Sequence, residues 1–143
     1  MLKYIFGENE NEKFGSVAVA YAKKLIATKQ CPSKGGWEDE ASKVFEKGSA
    51  CITKGCPRCC FLGLCEEGLI NGIPEGEYTS SVKNKAYGLL AVDMLREDES
   101  YKDEPSQLWK KVLKRGKYDE SKQHNHQMDV VCALWNAGLI KTD

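Results

Sequence analysis

The chain has 143 residues, 41% hydrophobic and 29% charged, which is enough apolar mass for one soluble globular domain with its own core. Its 21 basic residues balance 21 acidic ones, so no strong nonspecific nucleic-acid binding is expected. The longest apolar runs, such as Val17 to Ala22, are too short to cross a bilayer, and the acidic residues from Glu8 onward do not fit a secretory leader.

Leu2-Lys3-Tyr4-Ile5-Phe6 reads as an extended arm, but no second strand candidate lies nearby and no sheet is expected. The first clear element is an amphipathic helix over 13–29, where Phe14, Val17, Ala18, Tyr21, Ala22, Leu25 and Ile26 follow helical spacing. Pro32-Ser33 starts a second helix, with Trp37, Ala41, Val44 and Phe45 as its apolar stripe. A third helix is expected over about 57–71, closed by Gly68. The segment 72–80, rich in Gly and Pro, has neither helical nor strand periodicity and reads as a crossover loop.

The same order then returns. A helix over 81–97 carries Tyr87, Leu90, Ala91, Met94 and Leu95. Pro105-Ser106 starts a helix with Leu108, Trp109, Val112 and Leu113. A last apolar helix over 126–138 is closed by Gly138. The echo is direct: Phe61-Leu62-Gly63-Leu64-Cys65-Glu66-Glu67-Gly68-Leu69-Ile70 returns 70 residues on as Val131-Cys132-Ala133-Leu134-Trp135-Asn136-Ala137-Gly138-Leu139-Ile140. Such a repeat is a fold-level signal. The expectation is an all-α single domain, 1–143, built from two pseudo-repeated three-helix halves at about 13–71 and 81–140.

Seven cysteines, an odd number with five inside residues 51–65, do not suit a disulfide framework. Free thiols and a cytoplasmic location are the expectation. Cys56-Pro57-Arg58-Cys59 has the form of half a zinc site or a redox pair. No second such pair completes it, and His124 and His126 would face different ways on a helix. No metal and no cofactor is expected. Cys65 and Cys132, on apolar helices, read as small buried hydrophobes.

Two polar loops precede the echoed helices. Lys54-Gly55-Cys56-Pro57 stands at a helix start, where free N–H groups and the dipole favour an anion or an acidified thiol. His124-Asn125-His126-Gln127, with Asp129, is its counterpart. Together they suit a polar, anionic small molecule held by Lys54, Gly55, Cys56, His124, Asn125 and Gln127, with Tyr78 from the crossover. The same residues allow a cysteine-dependent hydrolase or transferase, with Cys56 as nucleophile, His124 or His126 as base, and Asn125 or Asp129 orienting it. A protein-interaction adaptor that presents helical faces to a protein partner is the third possibility. Each loop could equally be a helix cap followed by polar surface. Gly72 to Gly76, Tyr78, Lys83, Asn84 and Lys85 follow no nucleotide fingerprint and read as the crossover between the halves or as a ligand-contacting loop, and Lys110, Lys111, Lys114, Arg115 and Lys117 read as a solvated face.

The Phe61–Ile70 run, Gly72-Ile73-Pro74, Gly76, Tyr78, Lys83-Asn84-Lys85, His124-Asn125, Gln127-Met128-Asp129-Val130-Val131 and Ala133-Leu134-Trp135 resemble a family of small uncharacterised bacterial and phage-type proteins, a domain of unknown function. The resemblance covers almost the whole chain and implies no activity. The family pattern has Lys-Gly-Cys-Pro followed by small residues where this chain has Cys59 and Cys60. Cys56 thus belongs to the shared pattern, and a mechanism needing all three thiols does not.

Overall fold

A computed structural model of the chain describes residues 9–143, so the arm at 2–6 lies outside the described residues. Every regular element described is helical: α1 (Glu10–Thr28), α2 (Lys34–Ala41), α3 (Gly55–Glu66), α4 (Val82–Glu97), α5 (Pro105–Arg115) and α6 (Gln127–Asn136), with single 3₁₀ turns at Ala50–Thr53 and Glu99–Asp103. The fold is all-α.

Local chemistry sets the boundaries. The Asn9 side chain accepts a hydrogen bond from the Glu12 N–H at 2.9 Å, and Glu10 and Glu12 face the positive end of α1. Ser33 caps α2 through the Gly36 N–H at 3.0 Å, and Ser81 caps α4 through the Asn84 N–H at 3.4 Å. Pro105 opens α5. The stripe expected on the Trp37 helix extends past its end. α2 stops at Ala41, and Val44 and Phe45 reach the core from the following turn, each donating its N–H to the Ala41 carbonyl.

The echoed helices are shorter than their apolar runs suggest, because both end in the same Schellman motif. Gly68, at φ 70°, donates to the Cys65 carbonyl and Leu69 to that of Leu64, both at 3.0 Å. Gly138, at φ 73°, donates to Trp135 at 3.0 Å and Leu139 to Leu134 at 3.1 Å. The left-handed turn redirects the chain so that Ile70 and Ile140 point back into the core.

The long helix of each half packs on the echoed helix of the other: α1 on α6, and α4 on α3, while α3 and α6 meet centrally. Both crossings are close. A Cβ on Gly15 would lie 2.8 Å from the Cβ of Ala133, and one on Gly63 would lie 2.7 Å from the Cβ of Lys85. α2 covers one end with Trp37, whose ring centroid lies 5.3 Å from that of Phe61. α5 covers the other with Trp109, 4.9 Å from Tyr87.

Candidate functional site

The N-terminus of α3, the first turns of α4, the Trp109 face of α5 and the loop entering α6 converge on a cavity of about 250 Å³. Cys56 comes from α3, Lys83, Asn84 and Tyr87 from α4, and Lys122, Gln123, Asn125 and Gln127 from the 122–127 segment. The two polar loops of the sequence therefore meet, and Cys56, Asn125 and Gln127 share one cavity wall.

Part of this wall is rigid. Gln127, 2% exposed, accepts from the Asn125 N–H at 2.8 Å and donates to Asn84 Oδ1 at 3.1 Å. Asn84 in turn donates to Ser81 Oγ at 3.1 Å. Trp109 donates its indole N–H to the Lys122 carbonyl at 3.0 Å, which holds the loop over the cavity.

The remaining polar groups are uncommitted. Tyr87 is only 5% exposed, packed edge-on to Trp109 and Tyr118, yet its hydroxyl has no hydrogen-bond partner among the described residues. Burial, then Tyr118 and Cys56, push its phenol above the ordinary value, so it stays a neutral donor. Lys83 and Lys122 form no ion pair within 4 Å among the described residues, Lys122 interacts at longer range with Asp119, and no carboxylate lines the cavity. The Cys56 thiol makes no hydrogen bond within the described residues, and no side chain caps α3. The surface is one of donors around a small volume, with two cations and no anion.

The other candidates lie elsewhere. Lys54 and Gly55 precede Cys56 but do not line the cavity. Tyr78 stays with its own loop, donating its hydroxyl to the Pro74 carbonyl at 2.7 Å. Its N–H and that of Thr79 bond Glu66 Oε1 at 2.8 and 3.2 Å, while Lys85 Nζ sits 2.6 Å from Glu66 Oε2 and from Glu67 Oε2. Those bonds, the Lys85 one first, hold the Glu66 carboxyl down at about 2.

His124 lies behind Trp109, with ring centroids 5.4 Å apart, and its Nε2 accepts the Met128 N–H at 2.9 Å. It caps α6, as the cap interpretation of that loop has it. Burial pushes its pKa below the ordinary histidine value, in keeping with a neutral acceptor. His126, at φ 70°, faces the opposite way. It stacks on Phe14 at 4.4 Å and joins Asp129 Oδ2 at 3.0 Å and Glu10 Oε2 at 3.1 Å. Neither imidazole bonds Cys56, and Asp129 serves His126. Among the described residues no three His, Cys, Asp or Glu side chains group as metal ligands.

Sequence reasoning missed Tyr87, Trp109, Lys122 and Gln123. Tyr87 and Trp109 sit at core spacing and pass for apolar stripe. Their polar tips were the available signal, since a buried hydroxyl or indole N–H calls for a partner.

Fold and site together define a small helical domain with a polar, donor-lined cavity. The chain belongs to the family of unknown function DUF6979, whose profile matches residues 11–141. No curated protein and no solved structure matches it.

Proposed function

We propose that this protein binds a small polar anion in the cavity between the α3 N-terminus, α4, α5 and the 122–127 loop. The observation that carries this reading is Tyr87, a side chain 5% exposed whose hydroxyl has no partner among the described residues and lines a cavity that holds two lysines and no carboxylate. A hydroxyl held in a cavity wall with no protein partner is open to a ligand oxygen, and such a hydrogen bond contributes about 0.5–1.5 kcal/mol net. The free N–H groups at the uncapped start of α3 act in the same direction. A reduced, cytoplasmic setting fits a thiol in the binding wall.

The test is a thermal-shift screen of phosphate, sulfate and small carboxylates on wild type, Tyr87→Phe and Lys122→Ala. A stabilising anion whose effect falls in both variants supports the reading. Equal stabilisation of all three places binding elsewhere.

The cysteine-enzyme reading keeps one favourable observation, Cys56 in the cavity wall. It lacks a base bonded to that thiol. Ligand-independent hydrolysis of a thiol-reactive ester, abolished by Cys56→Ser, is what it requires. The adaptor reading would use the broader groove between α1 and α6, about 740 Å³, floored by Val19, Ala20 and Ala133.

The two halves also read as copies of one unit. Gly15 and Ala133 at one crossing correspond, 70 residues on or back, to Lys85 and Gly63 at the other. The same shift relates Phe14 and His126, stacked together, to Asn84 and Cys56 of the cavity. One copy is filled by two rings, and the other keeps a polar space. An experimental structure in which 14–70 fails to superpose on 85–140 would break this correspondence.

A further inference from the structure

The same cavity carries an inference about the chemical class of its ligand, which rests on the binding reading above. At about 250 Å³ it lies below the roughly 300–1,000 Å³ of pockets for drug-sized molecules, so the occupant is small. Trp109 and Tyr87 line it but are 4% and 5% exposed. Trp109 is hemmed by Tyr87 at 4.9 Å and by His124 at 5.4 Å, and Tyr87 by Tyr118 at 5.0 Å. Neither ring offers an open face on which a nucleobase could stack.

The polar inventory divides in two. Lys83 and Lys122 supply two positive charges and no carboxylate lines the cavity, although Asp119, outside the lining, interacts with the Lys122 charge. A phosphate monoester carries about −1.5 to −2 at neutral pH and matches that pair, where a single carboxylate matches half of it. The Tyr87 hydroxyl and the side-chain amides of Gln123 and Asn125 are uncommitted and can each donate and accept. Groups of that kind suit hydroxyls, which also donate and accept.

We infer that the ligand is a phosphate monoester of a small hydroxylated body, of the size of a triose to hexose phosphate. The phosphate sits toward Lys83 and Lys122, and the hydroxyls meet Tyr87 and the two amides.

Isothermal titration of the full chain tests this with glyceraldehyde 3-phosphate, ribose 5-phosphate, glucose 6-phosphate, free ribose and glucose, gluconate, succinate and AMP. The expected result is that at least one sugar phosphate binds about tenfold or more tightly than its free sugar and than gluconate. Lys83→Ala and Lys122→Ala should each weaken it about tenfold or more, as loss of a charge-assisted hydrogen bond implies. Tyr87→Phe should weaken it while leaving the melting temperature within a few degrees of wild type, which separates lost contact from lost fold. Carboxylates binding as tightly as sugar phosphates, with the same dependence on the lysines, would overturn the phosphate-ester inference and leave the anion site standing. AMP binding more tightly than every sugar phosphate would overturn the exclusion of a base. No binding by any compound, or binding indifferent to all three variants, would overturn both the inference and the site.

Discussion

Ile70 and Ile140, at matching ends of the two echoed segments, pair with each other as an isolated antiparallel bridge. The Asn71 N–H donates to the Leu139 carbonyl and the Lys141 N–H to that of Leu69, both at 2.9 Å. Both isoleucines are buried, at 0% and 2% exposure. The tail of the chain is thereby tied to its middle, and the Arg96 guanidinium reinforces the tie by donating to the Lys141 carbonyl.

Ile140→Ala should destabilise the protein by about 2–5 kcal/mol, the range for truncating a buried aliphatic side chain. Urea denaturation measures it. A loss below 0.5 kcal/mol, the range for surface changes, would show the bridge to be peripheral.

The glycines that aim these residues differ in surroundings. Gly68→Ala and Gly138→Ala both place a side chain at positive φ, at a cost of about 1 kcal/mol. A Cβ at Gly68 would also approach Glu75 Cγ at 2.6 Å, whereas none lies within 4 Å at Gly138. Gly68→Ala is expected to be the more destabilising in paired melts, and the reverse order would contradict the turn geometry.

Helix faces and the glycine-terminated ends were legible in the sequence because each is a local pattern: Phe14 to Leu25 by spacing, Gly68 and Gly138 by the turn they permit. The cavity was legible only as two loops of matching position. Cys56, Asn125 and Gln127 lie on it. Lys54, Tyr78 and His124 do not, for reasons no local pattern carries. Tyr78 is claimed by carbonyls of its own loop, and His124 is turned to cap α6. Tyr87 and Trp109 were hidden for the opposite reason, since their spacing is that of core residues and only the convergence of α3, α4, α5 and the 122–127 loop brings them to a cavity.

The His124 cap makes stability depend on pH in a known direction. Its folded pKa lies below the ordinary value of 6.5, so the cap contributes fully above that pH and is lost as pH falls through and below it. His124→Ala should cost about 1 kcal/mol at pH 7.5, typical of a lost N-cap. The difference between wild type and variant should shrink by pH 5. A difference that grows on acidification would mean that the imidazole is stabilised as a cation.

Glu66 anchors the crossover in the same verifiable way. Its carboxyl is held at about 2, against an ordinary 4.5, so its contribution is present above 4.5 and fades as pH falls toward 2. Glu66→Ala should lose about 1.5–3 kcal/mol at pH 7, the range for hydrogen bonds to a charged group. It should also flatten the acid limb of the stability curve. An unchanged acid limb would assign the crossover's order to other contacts.

The thiols test the packing directly. Cys60 and Cys65 are fully buried, and burial pushes both thiols upward. They should resist alkylation in the native state and react only after unfolding, while exposed Cys31 labels at once. Labelling of Cys65 at the rate of Cys31 would place α3 outside the core.

The most direct test of the binding site uses Cys56 as a reporter within its wall. Mass-spectrometric alkylation rates are compared without additive and with 10 mM glucose 6-phosphate or ribose 5-phosphate, on the order of ten to ten thousand times a Kd in the micromolar-to-millimolar range. Cys31, exposed and not part of the cavity lining, is the internal control. The account predicts that a sugar phosphate that binds slows Cys56 and leaves Cys31 unchanged, and that Tyr87→Phe and Lys122→Ala weaken the protection. A bound sugar phosphate that leaves the Cys56 rate untouched would contradict it.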